Sequence, residues 1–326
     1  MKLLVTGATG FVGNALVNSL AVGTRYALRA SVRRADIHFP ENVEVVTVND
    51  LTLATDWAAA LSGMDVVVHA AARVHIMNES SADPLAEFRR VNVDGTLHLA
   101  RQAIKSGVRR FVFISSIKVN GEATVVGRPF TADDAPNPVD PYGISKHEAE
   151  IALQALAAES DLEIVIIRPV LVYGPGVKAN FASMMRWLDK GIPLPLGALT
   201  ANRRSMVALD NLVDLIKICL HHPAAANQVF LVSDGESLST TALLRRTATA
   251  LGKPARLIPV PTWLLTCGAR MLGKSSIGQR LCGSLEVDIV KTSTLLGWQP
   301  PVDVDTALRQ TVRSYQAPRS EGTSPL

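Results

Sequence analysis

The chain has few of the residues that build disulfide frameworks and metal sites. Its 326 residues include three cysteines, Cys219, Cys267 and Cys282, which lie far apart and show no Cys-x-x-Cys spacing. An odd number of separated cysteines predicts neither a disulfide framework nor a zinc site. The seven histidines show no metal-ligand spacing either. We therefore expect reduced thiols, a cytoplasmic location and no bound metal.

The chain also lacks a long apolar run and a continuous basic stripe. Its most apolar stretch, residues 257–273, is interrupted by Pro259, Pro261 and Arg270 and is shorter than the about 20 apolar residues that span a bilayer. The net charge is +4, but the basic residues are scattered, so we expect no nucleic-acid partner. Because the N-terminus enters a predicted strand at once, no signal peptide is expected.

What the chain does have is an alternation of short apolar runs with helical patterns. The predicted strands are residues 3–5, 27–32, 43–48, 66–69, 111–115, 164–167 and 229–233, and the predicted helices are 11–20, 57–61, 85–105 and 142–158. Such alternation predicts right-handed βαβ units and a mostly parallel sheet. The fold class is therefore α/β: a Rossmann-like doubly wound parallel sheet with a smaller C-terminal substrate-binding part.

The pattern becomes looser after Arg168-Pro169, where prolines and glycines separate shorter elements. We predict a dinucleotide-binding domain over residues 1–170 and a substrate-binding part over 171–315. Within the second part, residues 205–235 are expected to pack back onto the sheet. The tail, residues 316–326, has a composition typical of disorder.

A glycine-rich turn lies between the first predicted strand and the first helix. Gly7, Gly10 and Gly13 are spaced Gly-x-x-Gly-x-x-Gly, and Phe11 and Val12 lie between the last two. Small residues at such a turn let backbone N–H groups approach a pyrophosphate at the helix N-terminus. We predict that these five residues bind a dinucleotide; the alternative is a purely structural turn.

The end of the second predicted strand indicates which dinucleotide binds. NAD-binding folds usually carry an acid there for the ribose 2′-hydroxyl, and an arginine nearby accommodates a 2′-phosphate. This chain has Arg33 and Arg34, with no acid before Asp36. The pattern favours NADP(H), and NAD(H) stays open. The alternative is that both arginines are solvated and do not select the cofactor. Asp50 and Leu51, after the third strand, are predicted to border the adenine.

Tyr142 and Lys146 are four residues apart at the start of a predicted helix, so they share one face. A free phenol has a pKa of about 10, and an ammonium group beside it favours the phenolate and lowers that pKa. A serine hydroxyl, from Ser116, can hydrogen-bond the reacting oxygen. The three side chains suit removal of a proton from an alcohol or its return to a carbonyl. Alone, Tyr-x-x-x-Lys is also compatible with an ordinary helix and a solvated lysine.

With the glycine turn, Ser116 and Tyr142/Lys146 in this order, the chain resembles the extended short-chain dehydrogenase/reductase family. Within it, the chain is similar to the nucleotide-sugar epimerase/dehydratase branch typified by UDP-glucose 4-epimerase. The resemblance implies that Tyr142 is the acid/base and that Lys146 lowers its pKa and binds the nicotinamide ribose. It also implies that Ser116 hydrogen-bonds the reacting sugar oxygen, and that the enzyme is a homodimer.

The same resemblance assigns further contacts. Ala70, Ala71 and Ala72 would line the cofactor, with Pro169 beside the nicotinamide, and the segment from Asn92 to Thr96 would brace the active site. The residues implied to contact a UDP-linked substrate are Ser116, Lys118, Asn180, Arg204 and Arg280.

The chain departs from the branch just after Ser116. Ile117-Lys118 replaces the acidic pair of the dehydratases, and Asn120 replaces a tyrosine common in epimerases. The stretch from Ser116 to Gly121 resembles a bacterial surface-polysaccharide subgroup that includes 4-ketoreductases. This resemblance, together with the missing acid for the ribose 2′-hydroxyl, favours an NADPH-dependent 4-ketoreductase of UDP-4-keto-6-deoxy-N-acetylhexosamine, in surface polysaccharide (O-antigen) biosynthesis. The alternatives are a UDP-glucose or UDP-N-acetylglucosamine 4-epimerase and, in another class, a non-catalytic NADP(H)-binding regulator. UDP and a lipid diphosphate both stay open as the carrier.

Overall fold

The computed structural model describes residues 1–34, 37–48, 50–74, 83–271, 278 and 281–317. Arg280 and residues 318–326 of the predicted tail lie outside the described residues. The strands are β1 (Lys2–Thr6), β2 (Ala27–Val32), β3 (Val43–Thr47), β4 (Val66–His69), β5 (Arg110–Ile114), β6 (Glu163–Pro169), β7 (Leu171–Tyr173), β8 (Arg204–Ala208), β9 (Gln228–Val232) and β10 (Ser237–Leu238).

Helices lie between these strands along the chain. They are α1 (Phe11–Ala21), α2 (Ala58–Leu61), α3 (Pro84–Arg89), α4 (Thr96–Lys105), α5 (Pro141–Ala158), α6 (Ala179–Asp189), α7 (Leu209–Cys219), α8 (Thr240–Ala250), α9 (Thr262–Met271), α10 (Val290–Leu296) and α11 (Val304–Gln316). None of the described helices is both long enough and apolar enough to cross a membrane.

Seven strands form one parallel sheet in the order β3-β2-β1-β4-β5-β6-β9. All of β4 and β5 is buried, as expected for strands covered by helices on both faces. The strand order reverses direction between β1 and β4, and ligands of open α/β sheets bind at the carboxyl ends of the strands beside such a reversal. The predicted doubly wound α/β fold is confirmed.

A second sheet of three strands has the order β10-β8-β7. The sequence does not predict these strands, two of which are only two and three residues long. The predicted strand at 229–233 is β9, which pairs with β6 at the edge of the large sheet. The chain therefore returns to the large sheet after β8 and then adds β10 to the small one. The division near residue 170 is a proposal.

The helix predicted over residues 85–105 is interrupted. Between α3 and α4, residues Arg90–Gly95 form a π-helical turn. Inside it, the Asn92 side chain exchanges hydrogen bonds with the backbone of Arg73, at 2.8 and 3.0 Å. The wider turn is typical of functional sites, and here it places Asn92 and Gly95 against the loops that border the site.

Candidate active site

The glycine turn forms a cradle that side chains would fill. Gly7 has a φ of +67°, and a Cβ there would lie 2.6 Å from the backbone of Ala70 and of Ala71. A Cβ on Gly13 would lie 2.2 Å from the Gly7 carbonyl oxygen. The turn is closed by the Gly10 N–H, which donates to the Gly7 carbonyl at 2.9 Å. Only glycine at positions 7 and 13 allows this close backbone packing.

The N-terminus of α1 opens from this turn. Its N-cap is Gly10, so no side chain caps the first turn. Exposed N–H groups and the helix dipole favour an anion there. The cradle and the uncapped helix therefore fit a dinucleotide pyrophosphate, as predicted for Gly7, Gly10, Phe11, Val12 and Gly13; these cofactor contacts remain a prediction.

Other predicted cofactor residues lie around the same edge of the sheet. Arg33 and Arg34 are exposed directly after β2, and Asp50 is exposed after β3. The chain around Leu51 packs so closely on the π-helical turn that a Cβ on Gly95 would lie 2.7 Å from the Leu51 carbonyl oxygen. Ala70, Ala71 and Ala72 follow β4, and Pro169 ends β6.

Ser116 and Tyr142 are brought together by two neighbouring elements. Ser116 caps a 3₁₀ turn, Ile117–Val119, directly after β5. Tyr142 lies in the first turn of α5, whose N-cap Asp140 accepts a hydrogen bond from the Gly143 N–H at 2.7 Å. The Ser116 hydroxyl favours the ionised form of the Tyr142 side chain. The catalytic roles of these two hydroxyls remain predictions.

Lys146 is almost completely buried, with 2% exposure, one turn after Tyr142. Its Nζ donates to the Ile114 carbonyl at 2.9 Å and lies 4.3 Å from the centroid of the Phe113 ring. Burial lowers the pKa of Lys146 to about 7, although the charge of Glu150 acts in the opposite direction. The lysine can therefore gain or lose its proton near neutral pH.

The sequence-based expectation for Tyr142 is wrong in one respect. Desolvation, together with the negative charge of Asp140, raises the pKa of Tyr142 to about 12, while the Ser116 hydroxyl acts to lower it. Lys146 is not among the groups that lower the pKa of Tyr142. Its ammonium group donates to the Ile114 carbonyl, and burial disfavours its charged form. Asp140 was not among the predicted site residues.

A buried ion pair joins α5 to β6. Glu150, one turn after Lys146, binds the Arg168 guanidinium, with Nη2 2.5 Å from Oε2 and Nε 3.0 Å from Oε1. The Ser115 hydroxyl also donates to Glu150, and Arg168 donates to the Asn120 side chain at 2.9 Å. Asn120 is thus a hydrogen-bond partner of the buried Glu150–Arg168 pair.

A second set of hydrogen bonds connects the π-helical turn to α5. Asn92, in the π-helical turn, donates to the Ser145 hydroxyl at 3.0 Å, and Ser145 donates to the Tyr142 carbonyl at 2.8 Å. The segment from Asn92 to Thr96 thus contacts α5 through Asn92, and its bracing role remains what the resemblance implies. On β4, His69 bonds Thr6 and Thr96 through its two ring nitrogens, and burial with the nearby Lys146 charge lowers its pKa to about 3.

The predicted substrate residues are distributed over both parts of the chain. Lys118 lies on the turn after Ser116 and binds the Asp140 and Glu122 carboxylates. Asn180 is exposed in the first turn of α6, and Arg204 begins β8 and donates to the Gly283 carbonyl at 3.2 Å. Their contacts with a substrate remain predictions, and Arg280 lies outside the described residues.

The arrangement has the parts needed for proton transfer at an oxygen. A buried lysine, a tyrosine and a serine lie at the carboxyl ends of parallel strands, beside a cradle for an anion. Within the described ranges, no group of three or more His, Cys, Asp or Glu side chains could hold a metal ion. The chemistry of these side chains is acid–base chemistry at a hydroxyl or carbonyl.

The chain matches known proteins over most of its length. The model of the NAD dependent epimerase/dehydratase family matches residues 3–233. A UDP-glucose 4-epimerase of Vibrio cholerae is 51% identical over 314 residues, which cover 96% of this chain and 95% of that protein. An N-acetyl-alpha-D-glucosaminyl-diphospho-ditrans,octacis-undecaprenol 4-epimerase of Escherichia coli O157:H7 is 26% identical, with 96% and 94% covered.

Among solved structures, the UDP-glucuronic acid 4-epimerase from Bacillus cereus in complex with NAD has the same fold. Its TM-score is 0.78 at 21% identity, and the match covers 97% of this chain and 98% of that chain. The family match extends over most of the large sheet, and the 51% identity extends over nearly the whole chain. The protein therefore belongs to the NAD dependent epimerase/dehydratase family and is an enzyme.

Proposed function

We propose that the protein is a 4-epimerase of a UDP-linked hexose, with UDP-glucose as the first substrate to test. The observation that carries the proposal is the 51% identity to a UDP-glucose 4-epimerase over 96% of the chain. The sequence alone favours a 4-ketoreductase, but the comparisons support the epimerase alternative better. A non-catalytic regulator is not supported, because the chain belongs to an enzyme family.

In this proposal the side chains move a proton at the oxygen on C4 of the sugar. Tyr142 accepts the proton of the 4-hydroxyl and returns it after the sugar has turned over. Ser116, which lowers the pKa of Tyr142, holds the same oxygen. Lys146 lies one turn further along the helix and can carry charge or be neutral near pH 7.

NAD is the cofactor that we favour. The Bacillus cereus 4-epimerase was solved in complex with NAD, and an epimerase regenerates its cofactor in each cycle. When bound, NAD supplies the hydride acceptor, and its positive charge favours the ionised form of Tyr142. Arg33 and Arg34, exposed at the end of β2, are the feature that favours NADP(H), so both cofactors belong in the test.

The test is product analysis by NMR. Purified enzyme is incubated with UDP-glucose or with UDP-N-acetylglucosamine, each with NAD or with NADP, and separately with a UDP-4-keto-6-deoxy sugar and NADPH. The epimerase proposal predicts accumulation of the C4 epimer without net consumption of cofactor. Stoichiometric loss of NADPH with a UDP-4-keto-6-deoxy sugar, and no epimer in any mixture, would instead establish the ketoreductase.

The variant Tyr142→Phe tests the acid–base role. Because the phenol is lost and its ring is kept, we expect turnover to fall by about 10²-fold or more, while dinucleotide binding stays within about twofold. Tyr26→Phe is the matched control, since Tyr26 precedes β2 and packs under the Arg25 guanidinium, 5.5 Å away. Turnover of Tyr142→Phe equal to that of the control would contradict the mechanism.

A further inference from the structure

The helix α9 presents an apolar face to solvent. Its side chains Trp263 and Met271 are 64% and 88% exposed, and Leu264 and Cys267 are exposed as well. Residues three and four apart are neighbours on a helix, so these four side chains form one face. Leu265 projects from the opposite side of the helix and packs against the apolar cluster of the C-terminal part. A surface helix normally carries polar side chains on its outer face, whereas α9 is apolar on both sides.

Further exposed apolar side chains lie on segments next to α9. Ile258 is exposed, and its N–H donates to the Leu194 carbonyl at 2.8 Å. Ile192, two residues before Leu194, is exposed, and its N–H donates to the carbonyl of the exposed Trp187 at 3.1 Å. Single exposed apolar residues are ordinary on a protein surface, but a group of them marks an interaction site.

The charged residues on these segments are mostly basic. We call residues 186–192, 253–258 and 262–271 the α9 surface. Its five basic residues are all exposed: Arg186, Lys190, Lys253, Arg256 and Arg270. Its one acidic residue, Asp189, has a carboxylate oxygen 3.9 Å from the Lys253 ammonium. The exposed apolar side chains therefore share this surface with an excess of positive charge.

The sequence around α9 has the same charge bias over a longer stretch. Residues 237–285 contain seven basic residues and no aspartate or glutamate, although the whole chain has 29 acidic residues. Basic side chains near an anionic membrane are attracted to it, and acidic ones are repelled. The stretch that contains the exposed apolar helix therefore also lacks the charges that oppose binding to an anionic surface.

Charge distinguishes between two partners that could cover the α9 surface. In a two-fold symmetric dimer each α9 surface meets its own copy, and the excess of basic side chains on both copies is repulsive. An anionic lipid surface attracts the same basic side chains. It also accommodates the apolar ones, because Trp and aliphatic side chains insert at the boundary between headgroups and acyl chains. The composition of the surface thus favours lipid over a second copy.

We propose that the α9 surface binds an anionic phospholipid bilayer, with Trp263, Leu264 and Met271 inserted among the headgroups. Arg256 and Arg270 pair with lipid phosphates. The helix lies on the membrane and does not cross it, because α9 has ten residues and about 20 are needed to span a bilayer. The proposal does not depend on the reaction that the enzyme catalyses.

Flotation with lipid vesicles tests this binding. The purified 326-residue chain is mixed with vesicles of phosphatidylcholine alone, or of phosphatidylcholine with about 30% phosphatidylglycerol. We expect the protein to float with the anionic vesicles and to bind them at least about tenfold more tightly than the neutral ones. Binding should weaken as salt is added, because salt screens the charges.

The double variant Trp263→Ser/Met271→Ser removes the most exposed apolar side chains of α9. We expect its affinity for the anionic vesicles to fall by about tenfold or more, since binding scales with the apolar area inserted. Val22→Ser/Leu53→Ser is the matched control, because Val22 and Leu53 are exposed apolar residues outside the α9 surface. The control should bind as the wild type does.

The double variant Arg256→Gln/Arg270→Gln tests the charge. Each basic residue near an anionic surface contributes to the attraction, so we expect about tenfold weaker binding to the anionic vesicles. Arg101→Gln/Lys105→Gln removes two exposed basic residues from α4 and is the control of equal charge. It should retain at least half of the wild-type affinity.

Cys267 allows insertion to be measured at the helix itself. It is exposed on the apolar face of α9, whereas Cys219 is buried and Cys282 is partly buried. In a Cys282→Ser background, an environment-sensitive fluorophore attached to Cys267 should emit at shorter wavelength with the anionic vesicles. Its emission should not change with phosphatidylcholine alone.

Weaker binding of both α9-surface variants, with both controls retained, supports the proposal. Absence of flotation of the wild type, or equal binding by Trp263→Ser/Met271→Ser and the wild type, overturns it. If that double variant does not fold, Met271→Ser alone decides, because Met271 is the more exposed of the two side chains. A dimer that dissociates in the double variant, together with no flotation of the wild type, also overturns the proposal and makes the α9 surface a contact between copies.

Discussion

The Lys146 side chain is a buried amine with almost no solvent exposure. It is 2% exposed, and its partners are a backbone carbonyl, an aromatic face and the charge of Glu150 one turn away. Burial lowers its pKa from 10.5 to about 7. The charged lysine therefore costs the fold stability, and the cost is linked to pH.

The variant Lys146→Met should reveal that cost. Between pH 7 and about 10.5 the unfolded chain binds the Lys146 proton and the folded chain does not, so wild-type stability rises with pH in this window. Relative to wild type, Lys146→Met should thus be most stable near pH 7 and lose that advantage as the pH rises, by at most about 1.4 kcal/mol per pH unit. Urea unfolding at several pH values measures the difference.

The exposed Lys253, 48% exposed, provides the control Lys253→Met. Its difference from wild type should stay within about 0.5 kcal/mol and should not change over the same pH range. A difference between Lys146→Met and wild type that is constant between pH 7 and pH 10 would show that Lys146 keeps an ordinary lysine pKa in the fold.

Sequence spacing predicts part of the site at the residue scale. Tyr142 and Lys146 could be placed together because helical neighbours are separated by four residues. The Glu150–Arg168 pair could not, since it joins a helix to a strand 18 residues away. The predicted lowering of the Tyr142 pKa is wrong for a related reason. The amino-acid sequence shows Lys146 four residues after Tyr142, but it shows neither the burial of Tyr142 nor the position of the Asp140 charge.

At the scale of elements, the π-helical turn between α3 and α4 is the feature that the sequence hides. The helical pattern of residues 85–105 continues through it, so periodicity predicts one helix. The interruption brings Gly95 against the backbone of Leu51. The buried strands were predicted well because continuous apolar runs mark them, whereas β7 and β10 are too short to leave a pattern.

The variant Gly95→Ala tests that packing. A Cβ there would lie 2.7 Å from the Leu51 carbonyl oxygen and 2.7 Å from its Cγ, so the loop must move. We expect a loss of about 1–3 kcal/mol in the free energy of unfolding, as for other overpacked sites. We also expect weaker dinucleotide binding, because Leu51 is predicted to border the adenine.

Gly268→Ala is the matched control for Gly95→Ala. Gly268 lies in the helix α9, and a Cβ there meets nothing within 4 Å. The change should leave stability unaltered or raise it by up to about 1 kcal/mol, the difference in helix propensity. Equal effects of the two substitutions would mean that the Leu51 loop adapts without cost.

At the scale of the whole molecule, the C-terminal segment is part of the core of the large sheet. Trp298 is 1% exposed and belongs to the same apolar cluster as β1, β6 and α7. Its Nε1 donates to Asp214 at 2.9 Å, and Asn211 on α7 exchanges two hydrogen bonds with the backbone of Val302. These contacts join residues more than 80 positions apart in the chain. At such a separation, a sequence pattern does not predict which residues meet.

Such contacts predict that the two parts of the chain unfold together. Trp298→Ala should lower the free energy of unfolding by about 3–5 kcal/mol, the cost of truncating a buried aromatic. Trp263→Ala should change it by less than about 0.5 kcal/mol, because Trp263 is 64% exposed. Urea unfolding followed by circular dichroism and by tryptophan fluorescence should give one coincident transition in each protein. If Trp298→Ala separates the unfolding into two transitions, the C-terminal part folds independently of the large sheet.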